Sequence, residues 1–162
     1  MGKRRRGRIL AFQALYAWDT ADNKEQALTE LLNFSWAEKK PPSQLPQDND
    51  SQDNDTQGDD TQNDDITGVF SRLLVAGTVE NIKTVDSMIR KHLQNWDFSR
   101  LNKVDRALLR LSVYELLFKT APPTVVIDEA IDISREYGTD DSYRFINGVL
   151  DGVRKTILNE MR

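Results

Sequence analysis

The chain has 162 residues, 38% of them apolar and 30% charged, enough for one compact domain or two small subdomains. It has no cysteine and a single histidine, His92, which excludes a disulfide framework, a thiolate metal site and a histidine-cluster metal site. The net charge of −4 averages two unlike regions: residues 41–65 hold eight Asp and no Lys or Arg, and without them 22 basic residues face 18 acidic ones, a net of +4.

The first element predicted is a helix from Lys3 to about Asp19. It opens on Lys3-Arg4-Arg5-Arg6-Gly7-Arg8, so five of the basic residues fall within the first eight positions and the charge is polarised to one end. Polar Gln13 and Asp19 interrupt the rest of this helix, so it is no secretory signal. No apolar run approaches the roughly 18–20 residues that span a bilayer. A cytoplasmic protein is the expectation. A second helix is predicted from Lys24 to Ala37.

An insertion stands apart from the rest. Gln47-Asp48-Asn49-Asp50-Ser51 begins four imperfect copies of a five-residue unit that ends at Asp65. With no aromatic or branched apolar residue, such a repeat cannot bury enough surface to offset its ordering entropy, so residues 39–65 are expected to be disordered. Asp53, Asp55, Gln57, Gly58 and Asp64 occupy positions 1, 3, 5, 6 and 12 of an EF-hand-like loop. Asp at position 12, Asp60 at the usually apolar position 8 and the lack of an entering helix argue against calcium. No metal is expected.

After the insertion the pattern stays helical. Ile66 to Asn81 places Val69, Leu73, Ala76 and Glu80 on one face, and Lys83 to Asn95 comes next. The neighbours Arg90 and Lys91 mark His92 as a solvated helix-face histidine. Ser99 is read as the cap of a long helix whose Leu101, Val104, Leu108 and Leu111 recur at spacings of three and four. On that helix Arg106 and Arg110, four apart beside Asp105, read as a solvated face. Pro123 starts a helix with Val126, Ala130, Ile133 and Tyr137 inward, and the last carries Tyr143, Ile146, Leu150, Val153 and Ile157. No segment sustains a period of two. The fold class is all-α.

Two constellations point to RNA. Arg5, Arg8, Phe12 and Tyr16 fall near one stripe of the first helix. Guanidinium groups neutralise phosphates and exposed rings stack on unpaired bases, although Phe12 and Leu15 read more simply as core. The second is the run from Tyr137 to Asp151. There Gly138 ends one helix, Thr139-Asp140-Asp141-Ser142 opens another, and Arg144 and Phe145 lie in its first turns. A cation and a flat ring beside a helix N-terminus suit RNA. Asp140, Asp141 and Ser142 also read as ordinary N-terminal capping. No phosphate loop, dinucleotide fingerprint or nucleophile elbow occurs, and no catalytic residue is expected.

Over nearly the whole chain apart from the insertion, these segments in this order resemble the NusB family of bacterial transcription antitermination factors. They are Arg4-Arg5-Arg6 with residues 11–18, Leu73 to Gly77, Val104 to Leu111 through Leu116, Val126 to Ile131, and Asp141 to Asp151. Gly7, and Asp128 where the family often has Asn, are small departures.

The resemblance implies about seven helices in two small packed bundles. It implies a non-catalytic factor that binds single-stranded boxA RNA together with NusE, a small-subunit ribosomal protein. That complex helps RNA polymerase read through terminators, notably in ribosomal RNA operons. Carried across, Arg4, Arg5, Arg6, Arg8, Tyr16, Arg144 and Phe145 would be RNA-side residues and Asp141 would lie at the RNA-proximal edge. Tyr16 and Asp105 would lie near the NusE interface. A homodimer covering the RNA site is compatible with the family, and no cofactor is implied.

The expected division is a basic arm and helical bundle over 1–38, the insertion over 39–65, and the remaining helices over 66–162. Two rival readings are a NusB-like module associated with an RNA methyltransferase and a structural helical dimerisation domain. The end of the chain at Arg162, with no methyltransferase segment, favours the antitermination reading.

Overall fold

The structure, a computed structural model, describes residues 2–33, 60–94 and 96–161. Its helices are α1 (Lys3–Thr20), α2 (Lys24–Leu32), α3 (Asp60–Glu80), α4 (Ile82–Lys91), α5 (Lys103–Phe118), α6 (Pro123–Tyr137) and α7 (Ser142–Glu160), with a 3-10 turn at Phe98–Arg100 before α5. The described residues contain no strand, and the fold is all-α as expected. None of these helices is long and apolar enough to cross a membrane.

Helices α1–α3 pack together, and α4–α7 form a second group around α5, which also touches α1 and α3. The first group thus draws on both sides of the insertion. Helix α5 buries ten of its 16 residues, including Leu108, Leu109 and Leu111, and is the shared wall of one continuous core. Two close approaches make this possible. A Cβ on Gly7 would meet the Phe70 ring at 2.6 Å, and Ser71 Oγ donates to the Gly7 carbonyl at 2.9 Å. One on Gly77 would overlap the Tyr114 hydroxyl. The glycine at position 7 therefore has a packing reason.

Several expectations are corrected. Helix α3 begins at Asp60, so residues 60–65 are helical, whereas most of the predicted insertion and its calcium pattern lie outside the described residues. Its buried face is also different: Thr67, Ser71, Leu74, Val75 and Thr78 turn inward while Val69 and Leu73 are exposed. Buried hydroxyls are tolerated because Ser71 donates to the Thr67 carbonyl at 2.9 Å and Thr78 to the Leu74 carbonyl at 2.6 Å. Helix α2 spans Lys24–Leu32, residues 34–37 of the predicted helix lying outside the described residues, and α4 ends at Lys91, earlier than the periodicity predicts.

Ser99 does not cap α5. It lies in the 3-10 turn, where Asp97 accepts its N–H, and the cap of α5 is Asn102, whose side chain accepts the Asp105 N–H at 2.7 Å. Tyr143 and Ile157 are half-buried rather than central to the core, and Tyr137, the last residue of α6, is 37% exposed.

Arg106 and Arg110 are not solvated. Arg106 Nη2 meets Asp19 at 2.6 Å, while Arg110 bridges Asp19 at 3.1 Å and Asp86 at 2.9 Å. Arg90, Arg106 and Arg110 all stand over the Phe98 ring, within 5.8 Å of its centroid. Burial works against the charge of Arg110, yet Asp86 and Asp19 more than offset it and raise its pKa. His92 is half-buried too, with Nε2 3.0 Å from Thr156 Oγ1 of α7. Burial, then Lys91, pushes its pKa down.

Candidate nucleic-acid interface

The RNA-side residues predicted from sequence separate into an inward and an outward set. Arg8 turns inward: it is 3% exposed, and its guanidinium meets Glu115 of α5 at 3.0 Å. Thr120 Oγ1 donates to the same carboxylate at 2.9 Å. A cation so enclosed cannot reach a phosphate, so the expectation that Arg8 faces RNA is corrected to a structural role. The stripe holding Arg5, Arg8 and Phe12 faces α5 and α6 as much as solvent, and Phe12 belongs to the core.

Arg4 and Arg6 are exposed on the first turn of α1. Arg5 is half-buried and held by two carboxylates of α6, Glu129 at 2.8 Å and Asp132 at 2.6 Å. Its hydrogen bond and charge contact with Glu129 raise the pKa further. A phosphate reaching Arg5 has to compete with both acids. Helices α1 and α6 also meet at the ring pair Phe12 and Tyr137, whose centroids are 5.4 Å apart. Tyr16, 39% exposed, lies one turn beyond Phe12.

At that end the α6–α7 junction is tight. The Gly138 N–H donates to the Ser134 carbonyl at 2.8 Å, and a Cβ at 138 would stand 2.7 Å from both that oxygen and Ser142. The hydroxyl of Ser142, not the Asp141 carboxylate, accepts the Thr139 N–H at 3.0 Å; Asp141 makes no side-chain cap and is exposed. That corrects the reading of Asp141 as a capping residue and leaves its carboxylate at the surface.

Three depressions meet at this junction. One of about 340 Å³ lies between Trp96, Phe145 and Asp105; a second of about 430 Å³ is lined by Tyr16, Lys103 and Tyr137; both share Asn102 and Thr139. A third, lined by Arg135, Asp140 and Tyr143, also reaches Thr139. Arg144 is exposed and its Nε donates to the Tyr143 hydroxyl at 2.9 Å, while Arg135 stands over the Tyr143 ring, 4.8 Å from its centroid. Phe145 is half-buried against the core and lines the first depression.

Asp105 is 7% exposed at the start of α5. Asn102 Nδ2 donates to its Oδ2 at 3.1 Å, and Oδ1 has no hydrogen-bond partner among the described residues. Burial pushes its carboxyl up, against the nearby Ser142 and Asn102 groups that favour the charged form. So Asp105 lies beneath the Phe145 depression and not on an open surface. Tyr16, Asp105, Asp141 and Phe145 are therefore brought together around one junction, whereas Arg4, Arg5 and Arg6 sit at the far end of the α1–α6 seam.

Sequence reasoning missed Trp96, Arg100, Asn102 and Arg135 as site-lining residues. Only Trp96 carried a readable signal, an aromatic residue in a polar stretch between two helices. Among the described residues no cluster of His, Asp or Glu could hold a metal ion.

The NusB family model matches residues 5–155. A transcription antitermination protein NusB of Treponema pallidum is 48% identical over 154 residues, covering 94% of this chain and 93% of that protein. One of Treponema denticola is 46% identical and covers 93% and 95%. Among solved structures, Thermotoga maritima NusB superposes with a TM-score of 0.68 at 34% identity, covering 94% and 90% of the two chains. A crystal structure of antitermination factors NusB and NusE in complex with double-stranded RNA superposes with a TM-score of 0.69 at 28% identity, covering 96% and 98%. With a family model spanning nearly all of its length and relatives close to half identical, the chain belongs to the NusB family.

Proposed function

We propose that this protein is a non-catalytic transcription antitermination factor that binds single-stranded boxA-type RNA together with NusE and acts within an RNA polymerase antitermination complex, notably in ribosomal RNA operons. The observation that carries the reading is the junction of α6 and α7. It sets the Phe145 and Tyr16 rings on two depressions that share Asn102 and Thr139, and the exposed Arg144 guanidinium lies in the first turn of α7. Unpaired bases bind on ring faces and their phosphates on guanidiniums, which is how single-stranded RNA is held. The solved relative containing NusB, NusE and RNA supports the same pair of partners.

In this reading Arg4, Arg6 and Arg144 meet phosphates and Arg5 does so after exchanging a carboxylate for a phosphate. Phe145 stacks a base. Asp141 at the rim accepts hydrogen bonds from base amino groups and repels misplaced phosphates. Tyr16 lies where the RNA path and the NusE surface adjoin. Asp105 acts beneath that surface by fixing the start of α5. The protein is expected to work in the cytoplasm, where nascent RNA is made.

The test is an anisotropy titration of labelled boxA-type RNA, with an unrelated single strand and a duplex as controls, each with and without NusE. Preference for boxA-type RNA that NusE strengthens is the expected result. Equal, weak binding to all three RNAs, unchanged by NusE, would leave only a basic helical domain. Light scattering in the same series separates a dimer that RNA dissociates from one that persists.

A further inference from the structure

The depression beside Phe145 has an opposite wall to which the proposed RNA contacts give no role. Trp96 is 59% exposed, immediately before the 3-10 turn. A tryptophan kept largely in water forgoes the burial that is its usual contribution to stability. It is not idle in geometry: its ring centroid lies 6.2 Å from that of Phe145, the planes tilted by 56°. The two rings open over a cavity of about 340 Å³, at the small end of the range typical of ligand pockets.

The chemistry of the rim and floor narrows what fits. Arg100 is exposed and lines the depression, as does the exposed Asp141, and Arg144 is exposed beside Phe145 in the chain, so one cation reaches the rim directly and a second neighbours Phe145. The floor is polar, with the buried Asp105 carboxylate, and the exposed Asn102 and Thr139 add donors and acceptors around it. An apolar side chain of a protein partner would find aromatic walls but leave that floor unmatched. A flat heteroaromatic group with edge donors and acceptors and a neighbouring anion matches walls, floor and rim together.

We infer that Trp96 and Phe145 form a clamp for one unpaired nucleobase, with Trp96 supplying the second stacking face and Arg100 meeting the adjoining phosphate. The inference rests on the RNA-binding reading and adds a wall to it. Opening the tilted rings toward parallel needs a turn of the Trp96 side chain, which is 59% exposed and outside the core.

The test uses the full chain with NusE and a labelled single-stranded boxA-type RNA, read by anisotropy, together with a set of the same RNA carrying one abasic position at a time. Stacking on one ring corresponds to roughly 5- to 150-fold in affinity. Trp96→Ala is expected to weaken binding within that range, and Trp96→Phe to recover most of it. At one position, removal of the base weakens the wild-type complex more than it weakens Trp96→Ala, which keeps only the Phe145 stack, as required when base and ring contact each other. Thermal melting of Trp96→Ala should match wild type, since the ring is outside the core.

If Phe145→Ala weakens RNA binding while Trp96→Ala does not, the clamp is wrong and the RNA reading stands. A Trp96→Ala effect on NusE affinity alone would make this wall a protein-docking surface and overturn the inference. Failure of the wild-type protein to bind any of the RNAs would remove both.

Discussion

At the scale of single residues, Arg8 shows most clearly how the fold reassigns a charge. In sequence it is one of five cations in an N-terminal cluster, and nothing local distinguishes it from Arg4 or Arg6. Its partner Glu115 is 107 positions away, so only the fold reveals that the pair is buried. Removing one member of a buried pair strands the other charge, which costs about 3–5 kcal/mol. Arg8→Met should lose about that much stability in urea denaturation, and Arg8→Met with Glu115→Leu should recover a large part of it. An Arg8→Met protein of wild-type stability but poor RNA affinity would return Arg8 to the RNA side. Phe145 was legible because a ring set off the apolar stripe of its helix, beside a cation, is a local pattern. Trp96 was legible only as an aromatic residue in a polar stretch, because its value depends on the ring it faces across the pocket.

Among the elements, spacing of apolar residues was sufficient to find α1, α5, α6 and α7, whose core faces repeat at three and four. It failed on α3, where the buried stripe contains Thr67, Ser71 and Thr78. Hydroxyls that return to carbonyls of their own helix turn inward without signalling it, and the exposed Val69 and Leu73 then mislead. Caps were half legible: both Ser99 and Asn102 are good capping residues, and the choice depends on the turn that Asp97 stabilises. Asn102 also underlies the candidate site, since it holds Asp105 by a reciprocal pair of hydrogen bonds. Asn102→Ala should cost about 1 kcal/mol, typical of a lost N-cap, measured as a shift in the urea midpoint without a change in slope. An unchanged midpoint would mean that α5 starts on another cap.

For the molecule as a whole, charge placement is what the composition hides. The half-buried network of Asp19, Asp86, Arg106 and Arg110 ties α1, α4 and α5 together. Burial raises the pKa of Asp19, but Arg106 and Arg110 outweigh it and hold the carboxyl below the usual aspartate range. A carboxyl whose folded pKa is depressed contributes stability that is present above its unfolded pKa and lost as pH falls through the folded value. Denaturation followed from neutral pH downward should therefore show wild-type stability falling more steeply below about pH 4 than that of Asp19→Asn. Parallel curves would mean that these ion pairs add nothing to stability.

The same inward turning of cations reduces the charge available to RNA. With Arg8 enclosed, Arg4, Arg5, Arg6 and Arg144 remain, joined by Arg100 at the clamp, and about four to five phosphate contacts on a single strand imply a slope of log K against log salt of about −3 to −3.5.

Equilibrium binding of boxA-type RNA to wild-type protein and Phe145→Ala, with NusE present and across a salt series, decides whether the α6–α7 junction holds RNA by stacking. The alanine variant is expected to bind at least about fivefold more weakly at every salt concentration with the slope unchanged, because a stacking ring has been lost and no phosphate contact has. Equal affinities, or a loss that disappears at high salt, would show that Phe145 stacks no base and that the junction is not the RNA site.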